Sequence, residues 1–116
     1  MSEQTKLDTV LKALAEKKAG QIEVYDTRNV TPFMDYMVVA SSQNTRQNGA
    51  LSQNVLDRLK EADLLDEHCH IEGNRDSNWI LVDLGDIVVN LFIREERGLY
   101  QLDRLYSDCP AFSYDL

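Results

Sequence analysis

Two aspartates on either side of a short glycine turn are the first residues whose types and spacing could do chemistry. Asp83 and Asp86 flank Leu84-Gly85 and stand three positions apart. Two-metal phosphoryl-transfer sites need carboxylates that face the same ions, which residues two apart on one strand achieve. The three-residue spacing across this turn does not place both carboxylates on one face, and the chain has no Gly-rich phosphate loop. The pattern favours a turn in which one aspartate accepts a backbone N–H; a metal-dependent nucleotidyl-transfer enzyme is the alternative.

A second group of reactive side chains is Glu67-His68-Cys69-His70. In a strand, His68 and His70 point to one face and Cys69 to the other. A zinc site needs three or four converging ligands, and no second cluster supplies the others. These histidines are the only two in the chain, and on a strand they point away from the thiol of Cys69, so neither is placed to activate it. We therefore predict no metal, no cofactor and no catalytic residue.

Aromatic residues offer a different chemistry, the binding of a partner protein. Trp79 is the only tryptophan and opens an apolar run. It is either a core aromatic or an anchor for a partner, because tryptophan is enriched at interface hot spots. The same two interpretations hold for Tyr100 and Tyr106. Arg46, beside a possible helix start, could bind an anion or pair with a surface acid. The residues indicate a partner-binding surface rather than an active site.

Hydrophobic spacing predicts the elements that position these residues. A first helix carries Leu7, Val10, Leu11 and Leu14 on one face and stops near Gly20. Strands follow at 22–24 and 33–40, and Asn44 or Thr45 caps a second helix. Three more strands are predicted at 68–72, 79–83 and 87–93, the last two joined by a tight hairpin. A last helix opens at Glu95, with Leu99, Leu102 and Tyr106 on one face.

The resulting order, α-β-β-α-β-β-β-α, predicts the fold class and the domain boundaries. A return strand after a helix requires a crossover, so we expect an α/β (α+β) protein with a mixed sheet covered by helices. Residues 1–106 form a single domain in this interpretation. Residues 107–116 form a short, loosely ordered C-terminal tail.

Composition narrows the class of partner. The chain of 116 residues has 12 Lys and Arg against 20 Asp and Glu, which gives a net charge of −8. Such a surface repels phosphates and attracts basic partners, so direct nucleic-acid binding is not expected. No apolar run approaches the about 20 residues of a membrane span, and no signal peptide is recognisable. The distant Cys69 and Cys109 fit two reduced thiols. We expect a cytoplasmic protein that does not bind membranes.

Several motifs stand in the order found in one known family. Residues 79–89 read W-I-L-V-D-L-G-D-I-V-V, and residues 97–105 read R-G-L-Y-Q-L-D-R-L. Three shorter pieces precede these two motifs in the same order as in the family: residues 35–40, Arg46-Gln47 and Glu72-Gly73. From about residue 7 to residue 106 the chain resembles the ribosomal silencing factor family, the iojap-like proteins. It departs from the family at Asn90, where a histidine is usual.

The resemblance implies a nucleotidyltransferase-like fold that has lost catalysis. It further implies a translational repressor that binds ribosomal protein L-fourteen on the large subunit, prevents subunit joining under nutrient limitation, and is a homodimer when free. A homodimeric scaffold of other purpose is a third possibility. Trp79, Leu84 and Asp86 are the implied partner-facing positions, with Asp83 and Tyr100 as weaker candidates. We expect the turn to push Leu84 outward beside Asp86.

Overall fold

Two helices and six strands make up the described part of the chain. The computed structural model describes residues 3–65, 69–73, 78–95 and 106–114. In chain order the elements are α1 (Glu3–Glu16), β1 (Gly20–Asp26), β2 (Tyr36–Ser42), α2 (Thr45–Glu61), β3 (His70–Glu72), β4 (Trp79–Asp83), β5 (Ile87–Ile93) and β6 (Ala111–Tyr114).

The strands form one mixed sheet in the order β3-β4-β5-β2-β1-β6. Only β2 and β5 run parallel to each other, with Tyr36 opposite Ile87 and Ser42 opposite Ile93; the other four neighbouring pairs are antiparallel. Parallel strands cannot be joined by a short hairpin, and here α2, β3 and β4 make the connection. The predicted mixed α/β fold is therefore confirmed.

Both helices pack against one face of the sheet. The predicted stripe of α1 is buried in full, since Leu7, Val10, Leu11 and Leu14 are each at most 2% exposed. The corresponding stripe of α2 is Leu51, Val55 and Leu59, and all three are buried. These side chains join the inward residues of β1, β2, β4 and β5 in one core. Within the described part of the chain, no helix combines the length and apolarity that crossing a bilayer requires.

At the helix ends, the predicted cap of α2 is confirmed and the predicted end of α1 is wrong. Asn44 caps α2, and its side chain accepts the backbone N–H of Gln47 at 2.8 Å. The predicted stop of α1 at Gly20 is wrong: the helix ends at Glu16, and Lys18 takes the left-handed position with φ 63°. Ala19 N–H then donates to Leu14 C=O at 3.1 Å. This bond belongs to the Schellman ending that usually recruits glycine.

Two further predictions need correction. Strand β2 begins at Tyr36, so Phe33 lies in the preceding loop and not in the strand. The expectation of a loosely ordered tail over 107–116 is wrong for 111–114, because β6 pairs antiparallel with β1. The predicted last helix falls mainly on 96–105, which lie outside the described residues, and Tyr106 is in a turn.

Candidate functional site

The face of the sheet opposite the helices is partly open over β4 and β5. Strand β4 alternates, so Ile80 and Val82 are buried beneath the helices while its other side chains point to the opposite face. The register continues this second face onto β5, where Phe92, Asn90 and Val88 lie beside successive outward positions of β4. We define the open face by four residues that are not fully buried: Trp79, Leu81, Asp83 and Val88.

Trp79 is held rigidly on the open face although it is 37% exposed. Its ring stacks on Phe92 with centroids 5.3 Å apart and an interplanar angle of 25°. The indole N–H donates to Asn90 Oδ1 at 2.9 Å. Asn90 is buried, and its Nδ2 lies 3.1 Å from Met37 Sδ as a donor. One part of the Trp79 ring therefore packs on the sheet and another part is accessible; its role as a partner anchor stays a prediction.

Asp83 and the turn that follows it agree with the predicted hairpin. Asp83 Oδ1 accepts the backbone N–H of Gly85 at 2.9 Å, which confirms the aspartate turn expected from the sequence. Gly85 has φ 88°, a value that glycine adopts without strain. Leu84 N–H donates to Ile87 C=O at 2.9 Å and closes the turn. On the open face, Asp83 Oδ2 lies 3.9 Å from His70 Nδ1.

Asp86 is engaged within the chain. Its Oδ1 accepts from Lys6 Nζ at 2.7 Å, and the same ammonium donates to Leu84 C=O at 2.7 Å. Its backbone C=O accepts the N–H groups of Asp35 and Tyr36. Asp86 thus ties the hairpin to α1 and to the start of β2. No local pattern indicates Lys6 as a partner, because the two residues are 80 positions apart.

The four predicted partner-facing residues that the structure describes do not form one cluster. Trp79 and Asp83 lie on the open face, and Asp86 pairs with a helix that covers the other face. Leu84 is 2% exposed and belongs to the core beneath the helices. The expectation that the turn pushes Leu84 outward is therefore wrong, since its hydrophobic side chain gains more by joining the core. Tyr100 lies outside the described residues.

A groove beside the open face contains residues that sequence reasoning missed. It has a volume of about 570 Å³ and is lined mainly by apolar groups together with Asp83: Val30, Thr31, Phe33, Met34, Gly85, Val88 and Tyr106. We name it the loop groove. Phe33 is 86% exposed and Val30 is also exposed. The available signal was Pro32 next to Phe33, since proline interrupts a strand ladder and indicates a loop.

Hydrogen bonds hold the loop that forms this groove. Thr27 is buried; its Oγ1 donates to Met34 C=O at 3.1 Å, and its N–H donates to Asp35 C=O at 2.9 Å. Before the loop, Asp26 accepts two hydrogen bonds from the Arg28 guanidinium. These bonds lower the pKa of the Asp26 carboxyl below its ordinary value. The loop that carries Phe33 is thus fixed at both of its ends.

The metal candidate receives no support from the described residues. Glu67 and His68 lie outside them, and His70 approaches Glu72 at 3.5 Å across an exposed part of β3. Within the described ranges, no three His, Cys, Asp or Glu side chains are placed to hold a metal ion.

Taken together, these features define a two-layer α/β domain with a partly apolar open face and a loop groove beside it. The chain belongs to the ribosomal silencing factor family: the family model described as "Ribosomal silencing factor during starvation" matches residues 1–116. The resemblance inferred from the motifs is confirmed.

Relatives and a solved structure support this assignment over most of the chain. The ribosomal silencing factor of Zymomonas mobilis is 35% identical over 100 residues, which are 86% of this chain and 74% of that protein. The mouse protein named "Mitochondrial assembly of ribosomal large subunit protein 1" is 28% identical and is matched over 45% of its length and 87% of this chain. A crystal structure from Chromobacterium violaceum superposes with a TM-score of 0.86 at 32% identity, covering 92% of this chain and 88% of that one.

Proposed function

We propose that this protein represses translation by binding ribosomal protein L-fourteen on the large ribosomal subunit, so that the small subunit cannot join. The observation that carries the proposal is the family match over residues 1–116. The relatives are named for ribosome silencing and, in the mouse, for assembly of the large subunit. In this proposal the protein is a binding module that catalyses no reaction, and it silences translation when nutrients are limiting.

The open face and the loop groove are the surface we assign to this contact. Contiguous exposed apolar groups on a small domain mark interaction sites, and Trp79 and Phe33 supply two aromatic rings there. The indole of Trp79 is already oriented by Phe92 and Asn90. Binding therefore costs little additional side-chain conformational entropy, which favours affinity.

Charge supports a basic partner. The chain has a net charge of −8, and complementary charge accelerates encounter and fixes register. Asp83 brings a carboxylate to the boundary between the open face and the loop groove, where its side chain is 36% exposed. It is better placed than Asp86 to accept a hydrogen bond from a lysine or arginine of the partner, because Asp86 already pairs with Lys6.

A homodimer of the free protein is the other association that the family resemblance implies. The same apolar groups would be covered by a second copy, so dimerisation and partner binding would compete. Adding purified L-fourteen to the free protein should then convert dimer to a one-to-one complex. Sedimentation velocity measures both species directly, and an unchanged dimer in saturating partner would contradict a shared surface.

The decisive experiment uses purified large subunits and isolated L-fourteen. We expect the protein to co-sediment with large subunits, to bind the isolated ribosomal protein, and to lower the yield of joined ribosomes in proportion to occupancy. Trp79→Ala should reduce all three. Phe112→Ala is the matched control, because Phe112 is an exposed aromatic on β6, away from the open face. Failure of the unaltered protein to bind large subunits would refute the proposal.

A further inference from the structure

A second groove lies at the opposite end of β5 from the hairpin. It has a volume of about 300 Å³, and its lining residues include Lys18, Arg94, Gln43 and Gln47. Among the residues that the structure describes, no aspartate or glutamate lines this groove. This is unusual in a chain with 20 acidic and 12 basic residues. We name it the carboxyl-edge groove.

Topology explains why the groove forms here. Strands β2 and β5 are parallel neighbours, so their carboxyl ends meet at the same edge of the sheet. Arg94 follows β5 directly, and its N–H donates to Ser42 C=O at 2.7 Å. The backbone of Arg94 is thereby fixed beside the end of β2. In open α/β sheets, crevices outside the carboxyl ends of strands are the preferred places for ligands.

Side-chain hydrogen bonds also fix the opposite wall. Gln47 Nε2 donates to the C=O of Lys17 at 3.0 Å and to that of Lys18 at 3.2 Å. Gln47 Oε1 accepts the N–H of Gln43 at 2.6 Å. The start of α2 therefore holds the segment after α1 in place, and the groove is preformed between two anchored basic residues.

No carboxylate in the described part of the chain is paired with either of the two basic side chains. Lys6, Arg28 and Arg58 form ion pairs with aspartate or glutamate. Neither Lys18 nor Arg94 forms an ion pair with another described residue, and both are exposed. An ammonium and a guanidinium on one concave surface match the oxygens of a phosphate group.

We propose that the carboxyl-edge groove binds the phosphate groups of a small phosphorylated ligand, with inorganic pyrophosphate as its simplest form. The groove has the size of a small-molecule site. A long polyanion would meet the acidic remainder of the surface, which opposes its approach. A compact phosphate compound can occupy the basic groove alone. This inference does not rest on the ribosomal partner, because none of the residues that line the groove belongs to the open face or to the loop groove.

The test is calorimetric titration of the whole protein with inorganic pyrophosphate in low-salt buffer. We expect saturable binding that weakens at least tenfold in Lys18→Gln and in Arg94→Gln, because each removes a charge-assisted contact. Arg94→Lys keeps the charge and should retain more affinity than Arg94→Gln. Lys12→Gln and Lys60→Gln are matched controls, since each removes one exposed positive charge elsewhere and should change binding less than twofold.

Three results would overturn the proposal. One is the absence of saturable pyrophosphate binding to the unaltered protein. Another is an equal loss in Lys12→Gln and Lys18→Gln, which would show attraction by overall charge. A third is tighter binding of a mixed-sequence single-stranded RNA at the same residues, which would assign the groove to an RNA backbone. Circular dichroism melting verifies that every variant is folded. If Arg94→Gln unfolds, the pyrophosphate affinities of Lys18→Gln and Arg94→Lys are compared instead.

Discussion

Trp79 and Asn90 form a hydrogen-bonded pair across two neighbouring strands, with the indole N–H 2.9 Å from Asn90 Oδ1. Asn90 is buried and its amide also donates toward Met37 Sδ. The exposed aromatic is therefore oriented by a polar group inside the sheet. A preoriented indole loses little conformational freedom on binding, which links the interior of this domain to the proposed contact surface.

Trp79→Ala should weaken binding to L-fourteen by about 2 kcal/mol or more, the range of an interface hot spot. The accompanying loss of unfolding free energy should be below the about 3–5 kcal/mol of a fully buried aromatic, since Trp79 is 37% exposed. Calorimetric titration and urea unfolding of the same variant measure the two quantities. Unchanged binding by a folded variant would exclude Trp79 as an anchor, and Phe112→Ala reports the effect of removing an unrelated exposed ring.

Asn90→Ala should affect binding although Asn90 is buried. The substitution leaves the indole N–H without its acceptor and is expected to cost about 1–3 kcal/mol of stability. The Trp79 fluorescence spectrum should shift as the ring loses its fixed position, and partner affinity should fall. Asn90→His tests the cause, because a neutral imidazole nitrogen can accept the same hydrogen bond. If the alanine variant binds like the unaltered protein with an unchanged spectrum, Asn90 does not orient Trp79.

Acid should weaken the anchor of the loop groove at Asp26. Hydrogen bonds from Arg28 lower the pKa of this carboxyl in the folded protein below its ordinary value. Its contribution to stability is therefore complete above the unfolded pKa and is lost as pH falls through the lower folded pKa. Urea unfolding at stepped pH values below 5 should show a shallower decline for Asp26→Asn than for the unaltered protein. Identical slopes would contradict the assignment; some decline will persist because Arg58 lowers the pKa of Glu16 in the same way.

Local patterns predicted the elements whose causes are local. The stripe containing Leu7 and Leu14, the cap at Asn44 and the glycine turn at Gly85 each depend on neighbours within a few positions. The missed features depend on distant contacts. Strand β6 exists through pairing with β1, and the Lys6–Asp86 pair joins residues 80 positions apart.

The candidate site was predictable to the same extent. Trp79 and Asp83 could be selected from the motif and do lie on the open face. The run from Phe33 to Ala40 predicts a strand because it is rich in Met, Val and Tyr. The hydrogen bonds of Thr27 to Met34 and Asp35 keep the start of this segment in a loop instead. Only the folded chain shows that contact network.

Phe33→Ser should separate binding from stability. The ring is 86% exposed, so its removal should change the unfolding free energy by no more than about 0.5 kcal/mol. Affinity for L-fourteen should fall, since the loop groove loses its largest apolar group. Phe112→Ser makes the same chemical change on β6 and should leave affinity unchanged. Equal affinity of the two variants for L-fourteen would show that the loop groove is not part of the contact surface.

Asp83 and Asp86 should differ in kinetics although they stand three positions apart. Asp83→Asn keeps the shape of the side chain and an acceptor for the Gly85 N–H but removes the charge. If its carboxylate is desolvated against a basic residue of L-fourteen, dissociation should accelerate and the penalty should reach about 2 kcal/mol.

Asp86→Asn should act mainly on the folded protein itself. It weakens the ion pair with Lys6. Because the Asp86 side chain is 37% exposed, the loss of stability should be at most about 1 kcal/mol. Lys6→Met should produce a similar loss, and the double variant should show that the two effects are not additive. Partner dissociation should change little in either single variant.

Surface-binding kinetics at two salt concentrations distinguish these roles. Asp57→Asn is the charge control, because Asp57 is exposed on α2 and should alter only salt-sensitive association. Faster dissociation confined to Asp83→Asn would locate the docking contact on the open face. If the Asp83, Asp86 and Asp57 variants all slow association equally and leave dissociation unchanged, the acidic surface acts only as a diffuse field and Asp83 makes no specific contact.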